Sequence, residues 1–345
     1  MSKGQKFSQL GRKTVAVFSR QPLKTIVRIV ITAGFVYAVN RNLNVAEIRN
    51  LLDNVSTVPL ITAFVIGIAS LFLQVLRWQV ILESHTLPSN HHITMKTMFR
   101  GFLLAFVTPG RIGELFRAVS IDRKRHVASI VAVMEDRTSA VLFTVGTGII
   151  CALLHGLFYR KTIFLPHIII AGLFLLLFTT VVIIMRTGNN FIERHHLIAR
   201  YSFLEAYFQR LRELPLMKLF WYSLSAHLLL LVQTALVLYM FGAGGFVENV
   251  IVAGQAYSFM VFIPLFIANI GLREYAFAFF LKYFPETVTN DVSVSSIALG
   301  AATVILVMNI IIPAMVGLVW LYIDKKRVKE TGVSKQKQYR FDAGE

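Results

Sequence analysis

Nine ionisable side chains stand within or beside apolar runs, where a charge is costly: Arg100, Arg111, Glu114, Arg117, Glu135, Asp136, Arg137, Arg273 and Glu274. On insertion scales an ionisable group at the centre of a membrane helix costs roughly 2.5–3.5 kcal/mol, so each such position invites a functional explanation. Five of the nine are arginines. The planar guanidinium grips phosphate or carboxylate through two parallel hydrogen bonds. Pro109 and Gly110 precede one group and Gly271 the other, marking two breaks in the chain. A half-helix opening after either glycine would aim free backbone N–H groups at the membrane centre, another feature that suits an anion. Substrate contact is therefore assigned to Arg111, Glu114, Arg117, Arg273, Glu274 and Arg100. Glu135, Asp136 and Arg137 form a coupling or pairing group, and Glu114 or Glu135 would be the acids to carry protons. The same residues also suit a plainer role. Glu114 lies three positions from both Arg111 and Arg117, which is pairing distance on a helix, and salt bridges could simply hold the buried segments together.

Other polar residues carry less. His227 stands alone in an apolar run and reads as hydrogen-bonded structure. His91-His92 and His195-His196 are sequence neighbours, which do not face each other on a helix, so no metal site is expected there. Arg77-Trp78 reads as an anchor at the membrane interface. The single Cys151 excludes an intrachain disulfide framework. No phosphate-binding GxxxxGK[ST] loop is present, nor GxSxG or HExxH, so no cofactor, ATP-driven cycle or catalytic residue is expected.

The elements that must position these residues are membrane helices. Of 345 residues, 56% are hydrophobic and 15% charged, against about 25% charged in soluble domains. The net charge of +17 is clustered. Residues 1–28 hold Lys3, Lys6, Arg12, Lys13, Arg20, Lys24 and Arg28 and no acid. Such flanks point to the cytoplasmic face and anionic lipid rather than nucleic acid. A span needs about 20 apolar residues. Runs at 59–76, 138–158, 162–185, 219–243 and 292–323 qualify, the last with Pro313 as a source of tilt or kink, and 26–40 makes a weaker first span.

Two regions are broken instead. Residues 97–108 and 112–121 are limbs of 10–12 residues around Pro109-Gly110. Residues 249–268, interrupted by Pro264, are followed after Gly271 by a short segment, 272–284. Basic residues decide the sidedness. A loop after 59–76 holding Arg77 and Lys96, and Asp122-Arg-Lys-Arg125, place the first hairpin's flanks inside. The stretch 186–218 is basic too, with Phe191, Ile198, Tyr201, Phe208 and Leu211 at the spacing of an interfacial amphipathic helix. The fold expected is an all-α polytopic membrane protein with about six full spans and two oppositely oriented re-entrant helical hairpins, eight spans being the alternative. The basic segment 1–23 and the basic tail 325–345 would flank a transmembrane unit at 24–324, both termini being cytoplasmic. Opposed broken helices are the device by which inverted-repeat transporters build a site at mid-membrane.

At Pro109-Gly-Arg-Ile-Gly-Glu-Leu-Phe-Arg117 the sequence resembles the transmembrane region of lysylphosphatidylglycerol synthases, whose stand-alone members are flippase-like membrane proteins. The pattern Pro-x-Arg-x-Gly-Glu-x-x-Arg is met by Pro109, Arg111, Gly113, Glu114 and Arg117. Arg77-Trp78 is similar to an Arg-Trp pair preceding it, and Met134-Glu-Asp-Arg137 resembles a Glu-Arg motif with Asp136 inserted. Pro264, Gly271, Arg273 and Glu274 fit a late Gly-x-Arg-Glu motif, with Ala268-Asn269 where paired glycines are common. The resemblance implies a lipid translocase fold with the matched arginines and acids at the headgroup site. The chain ends soon after its last span, so aminoacyl transfer from tRNA is not expected of it alone. The function expected is a flippase in the cytoplasmic (inner) membrane for a lipid with an anionic headgroup: a phospholipid, glycolipid or polyprenyl-phosphate carrier. A homo-oligomer is compatible with this. The alternatives are a membrane-embedded lipid-modifying transferase and an accessory subunit of a lipid or polysaccharide exporter.

Overall fold

The computed structural model describes residues 56–108, 112–121, 125–159, 172–174, 176–177, 179–180, 215–263, 266, 268–284 and 293–330. The expected first span at 26–40, most of the run 162–185, the amphipathic stretch, both termini, and Pro109, Gly110, Arg111 and Pro264 lie outside them. Within them the regular elements are helical. In chain order they are α1 (Thr57–Ser84), α2 (His91–Val107), a 3-10 helix (Ile112–Ser120), α3 (His126–Tyr159), α4 (Leu216–Met240), α5 (Phe246–Val261), α6 (Leu272–Leu281), α7 (Val294–Leu306), a π turn (Val307–Ile311) and α8 (Ile312–Glu330).

Among the described residues, four helical stretches are long and apolar enough to cross a bilayer: Thr57–Ser84, Val127–Tyr159, Leu216–Met240 and Val294–Asp324. α1 shows why such a helix spans and packs at once. Its 28 residues give a rod of about 42 Å. Ile61, Val65, Ile68 and Phe72 recur at helical spacing and are exposed, the face of a helix that meets lipid tails. The opposite face buries Ala63, Gly67, Ser70, Arg77, Trp78 and Ile81. That face packs along α4, where the Ser70 hydroxyl donates to the Ala226 carbonyl at 2.8 Å. Arg77 and Lys96, assigned to a loop from sequence, are inside α1 and α2. A loop boundary drawn at the first charge fails here because that charge is buried against other helices rather than turned to water.

The long apolar run 292–323 is one continuous helical path made of α7, the π turn and α8. Pro313 explains the irregularity. It has no N–H to donate, and its ring crowds the carbonyl four residues back, so the preceding turn widens. The π turn carries Asn309, whose amide pairs reciprocally with Gln233 of α4 at 2.9 and 3.2 Å. Buried polar groups need such partners, and this one fixes the widened turn against α4.

α3 and α5 cross closely through small residues. A Cβ on Gly254 would lie 2.4 Å from Cys151 Sγ, and one on Gly148 would lie 2.2 Å from Ser258 Cβ. Small residues let membrane helices approach to backbone distance. Gly254→Val is therefore expected to lower stability by about 1–3 kcal/mol, as overpacking does. Thermal unfolding in detergent micelles measures it, and an unchanged midpoint would remove the close crossing.

The two broken regions are pairs of short elements. α2 has 17 residues and packs against the 3-10 helix of 9. α5 has 16 residues and packs against α6 of 10. Neither α5 nor α6 reaches span length, and the turn between them contains Ala268, Asn269 and Gly271 at φ of 51, 57 and 87°. α5 ends at Val261, ahead of Pro264, rather than running on to residue 268. The second limb of the first pair is 3-10 instead of α-helical, so residues three apart superpose along it. One buried apolar cluster lies among α1, α2, the 3-10 helix and α3; the other joins α3 to α7.

Candidate functional site

Three elements converge on a buried ionic cluster. α1 supplies Arg77, the 3-10 helix Glu114 and Arg117, and α3 Glu135, Asp136 and Arg137. Asp136 sits at its centre. Its Oδ1 accepts from Arg77 Nε at 2.8 Å, and its Oδ2 accepts from Arg117 Nη2. Arg77, Arg117 and Asp136 are all buried. Two arginines on one carboxylate satisfy the charge rule of a dry interior, where an unpaired ion would be prohibitive. Arg117 also lies over the Trp78 indole, 4.1 Å from the ring centroid, a cation–π contact. Trp78 is fixed in turn by donating from Nε1 to Thr97 Oγ1 at 3.0 Å. Gly101 on α2 leaves room for the Arg117 stem, since a Cβ there would come within 3.1 Å of Cδ.

Around this centre the neighbouring acids are also engaged. Glu114 pairs with Arg137, and Glu135 Oε2 meets His85 Nε2 at 2.7 Å. Glu135 and Asp136 are adjacent in sequence and so diverge by about 100° on α3. One turns to His85 beyond the end of α1, the other to the two arginines. This divergence gives the inserted Asp136 its role as the shared acceptor.

A cavity of about 130 Å³ opens beside the cluster. Arg77, Glu114, Asp136 and Arg137 form its charged wall. Gln74, Thr144, Ser223 and His227 add neutral polar groups, and Met98, Phe102, Phe143 and Leu230 add apolar ones. His227 is held by Thr147, Nε2 to Oγ1 at 2.7 Å. Counted with Arg117 and Glu135 behind it, the cluster brings three arginines and three carboxylates together, so its formal charges balance. Polar and charged side chains make up more than half of its lining, and its volume is below the roughly 300–1,000 Å³ of ligand pockets in general, so it is a small polar cavity.

The sequence-assigned residues divide accordingly. Glu114, Arg117, Asp136 and Arg137 come together, with Glu135 just behind. Arg100 does not line the cavity; its Nη2 meets Asp324 of α8. Arg273 and Glu274 lie at the start of α6, behind Gly271, and do not line it either. The Arg273 guanidinium is 3.4 Å from the Ala268 carbonyl and 3.5 Å from that of Ala302. Glu274 is buried, and its Oε2 has no hydrogen-bond partner.

Two site residues escaped the reading from sequence. Arg77 and Trp78 are buried at the cluster, packed among helices rather than turned outward as an anchor would be. Arg beside Trp is the same string whether the pair faces lipid headgroups or a buried carboxylate; only the distant Asp136 separates the two cases. His227 stood out in an apolar run, and the structure places it in the cavity wall, hydrogen-bonded as expected.

A family model described as Lysylphosphatidylglycerol synthase TM region matches residues 25–317. Among curated proteins none matches the chain.

Proposed function

The chain belongs to the lysylphosphatidylglycerol synthase TM region family, and on that footing we propose that it is a translocase for lipids with an anionic, phosphate-bearing headgroup. It is a multi-pass helical membrane protein of a family named for lipid synthesis. The observation that supports the proposal is the charged wall of the cavity, where Arg77 and Arg137 stand beside Asp136 and Glu114, with the Asp136-bound Arg117 behind them. A phosphate there would take charge-assisted hydrogen bonds from guanidinium groups already oriented by their carboxylates. Gln74, Ser223 and His227 would face the rest of the headgroup, and the acyl chains would stay in lipid.

In this reading the two pairs of short helices are re-entrant, entering from opposite faces, and the protein sits in the cytoplasmic membrane with both termini inside. Transport needs no covalent chemistry, so the chain acts as a carrier and not as an enzyme. With the cytoplasm negative, outward movement of one net negative charge is favoured by about 2.3 kcal/mol per 100 mV. That gradient replaces ATP as the driving force.

The test is headgroup exposure in proteoliposomes carrying fluorescent anionic, zwitterionic or cationic lipids. Purified protein is expected to speed the anionic lipid above the protein-free rate. Arg137→Gln, at the more accessible edge of the cluster, is expected to remove most of that gain while the protein remains folded. Equal rates for all three lipids, or an unaffected Arg137→Gln, would overturn the assignment. An outward-driving potential imposed with valinomycin is expected to accelerate the anionic lipid and to slow a cationic one.

A further inference from the structure

Arg100 was assigned to substrate from sequence, yet it lies between α2 and α8, away from the cavity. It belongs to a second charged group. Lys96 and Arg100, one turn apart on α2, both reach Asp324 of α8: Lys96 Nζ is 2.6 Å from Oδ2, and Arg100 Nη2 meets the same oxygen. Two cations on one carboxylate leave an excess positive charge. Arg100 Nε is buried without a hydrogen-bond partner. The group is not sealed: the Lys96, Arg100 and Asp324 side chains keep 25, 18 and 23% of their surface exposed.

Its surroundings are those of a bilayer interface. Asp324 terminates a stretch long and apolar enough to span, and Lys325-Lys326-Arg327 follow it in sequence. Such a basic run marks the cytoplasmic side. Trp320 contacts His92 edge-on, with ring centroids 4.5 Å apart, at the depth where indoles favour the headgroup layer. Met95 and Ile323, next in sequence to Lys96 and Asp324, and Val319, one turn before Ile323, are exposed apolar side chains. α2 and α8 are in close contact below them, where Gly317 packs on the Phe99 carbonyl. Positive charge, an interfacial aromatic and exposed aliphatic surface thus meet at one place.

We propose that this junction of α2 and α8 holds the headgroup of an anionic phospholipid of the cytoplasmic leaflet, at a site separate from the translocation cavity. The lipid phosphate rests on Lys96 and Arg100, and its acyl chains lie along Met95, Val319 and Ile323. Asp324 is the internal competitor: it neutralises part of the charge that the phosphate would otherwise meet. A free anion would find the same cations, but not the aliphatic surface, which is what favours a lipid.

The experiment uses the full chain in neutral detergent and follows tryptophan quenching by brominated-acyl phosphatidic acid against brominated-acyl phosphatidylcholine. The wild type is expected to be quenched at lower mole fraction by phosphatidic acid. Lys96→Gln with Arg100→Gln is expected to weaken that preference about fivefold or more, the effect of about one surface cation or more. Asp324→Asn is expected to move it the other way, strengthening phosphatidic acid. This opposite sign separates a lipid site from a structural salt bridge, for which every disruption would weaken the protein alike. Equal quenching by the two lipids, or a weaker preference in Asp324→Asn, would overturn the proposal. Inorganic phosphate at equal concentration is expected not to displace the lipid; displacement would reduce the site to a free-anion site. Binding is read here without transport, so a failed flippase assay leaves this result standing, and the reverse.

Discussion

Asp136→Ala is expected to cost about 3–5 kcal/mol of stability and to leave little folded protein, the scale seen when one partner of a buried ion pair is removed. Arg77 and Arg117 both donate to this carboxylate, and both are buried. Without it, two guanidinium charges remain in an interior that offers little to replace it. Asp136→Asn keeps the shape and one acceptor and is expected to lose less. The strongest check is a double-mutant cycle with Arg117→Met, followed by thermal unfolding in micelles. Removing Arg117 takes away one of the stranded charges, so the double mutant should lose less than the sum of the two single losses. Strict additivity would show that Asp136 and Arg117 are not coupled.

Gly113→Val is the second large effect expected, about 3 kcal/mol from overpacking, with loss of transport beyond the loss of fold. A Cβ at Gly113 would lie 2.1 Å from the Leu104 carbonyl oxygen and 2.4 Å from Thr108 Oγ1. Thr108 ties this place together. Its hydroxyl donates to Leu104 O at 2.8 Å and accepts from Gly113 N at 2.6 Å. The hydroxyl therefore joins the end of α2 to the start of the 3-10 helix, and only a glycine lets the two come so close. A side chain there would push the 3-10 helix away and carry Glu114 and Arg117 off α3. Reconstituted Gly113→Val that still folds should translocate as poorly as Arg137→Gln. Full activity in that variant would mean that the position of the 3-10 helix is immaterial.

Much of the arrangement was legible in sequence because membrane physics is local. Twenty apolar residues spell a span, and Pro or Gly within a shorter run spells a break, so the four described spans and the two pairs of short elements all announce themselves. Helix ends were less legible. The apolar run 59–76 became α1, Thr57–Ser84, because the helix continues through Arg77 and Trp78 by burying them. The described partner of Glu114 was hidden for a related reason. Local spacing pointed to Arg111, which lies outside the described residues, and Arg117, while the structure also gives it Arg137 on another helix and gives Arg117 to Asp136. Partners in tertiary structure leave no trace in spacing. Arg100 shows the same limit, since its acid, Asp324, lies 224 positions away. Family likeness supplied part of what spacing could not, by marking Arg77-Trp78 and Met134-Glu-Asp-Arg137 as belonging with the first break.

The Arg77–Asp136 bond also sets a condition on biogenesis. Its partners are 59 positions apart, so at about 5–20 residues per second Arg77 leaves the ribosome roughly 3–12 s before its acid does. During that interval α1 must enter the membrane with an uncompensated arginine. The mean hydropathy of 2.2 over its apolar window is what permits this. The insertion machinery must then keep α1 at hand until α3 arrives, which makes the cluster a checkpoint for assembly as well as a site.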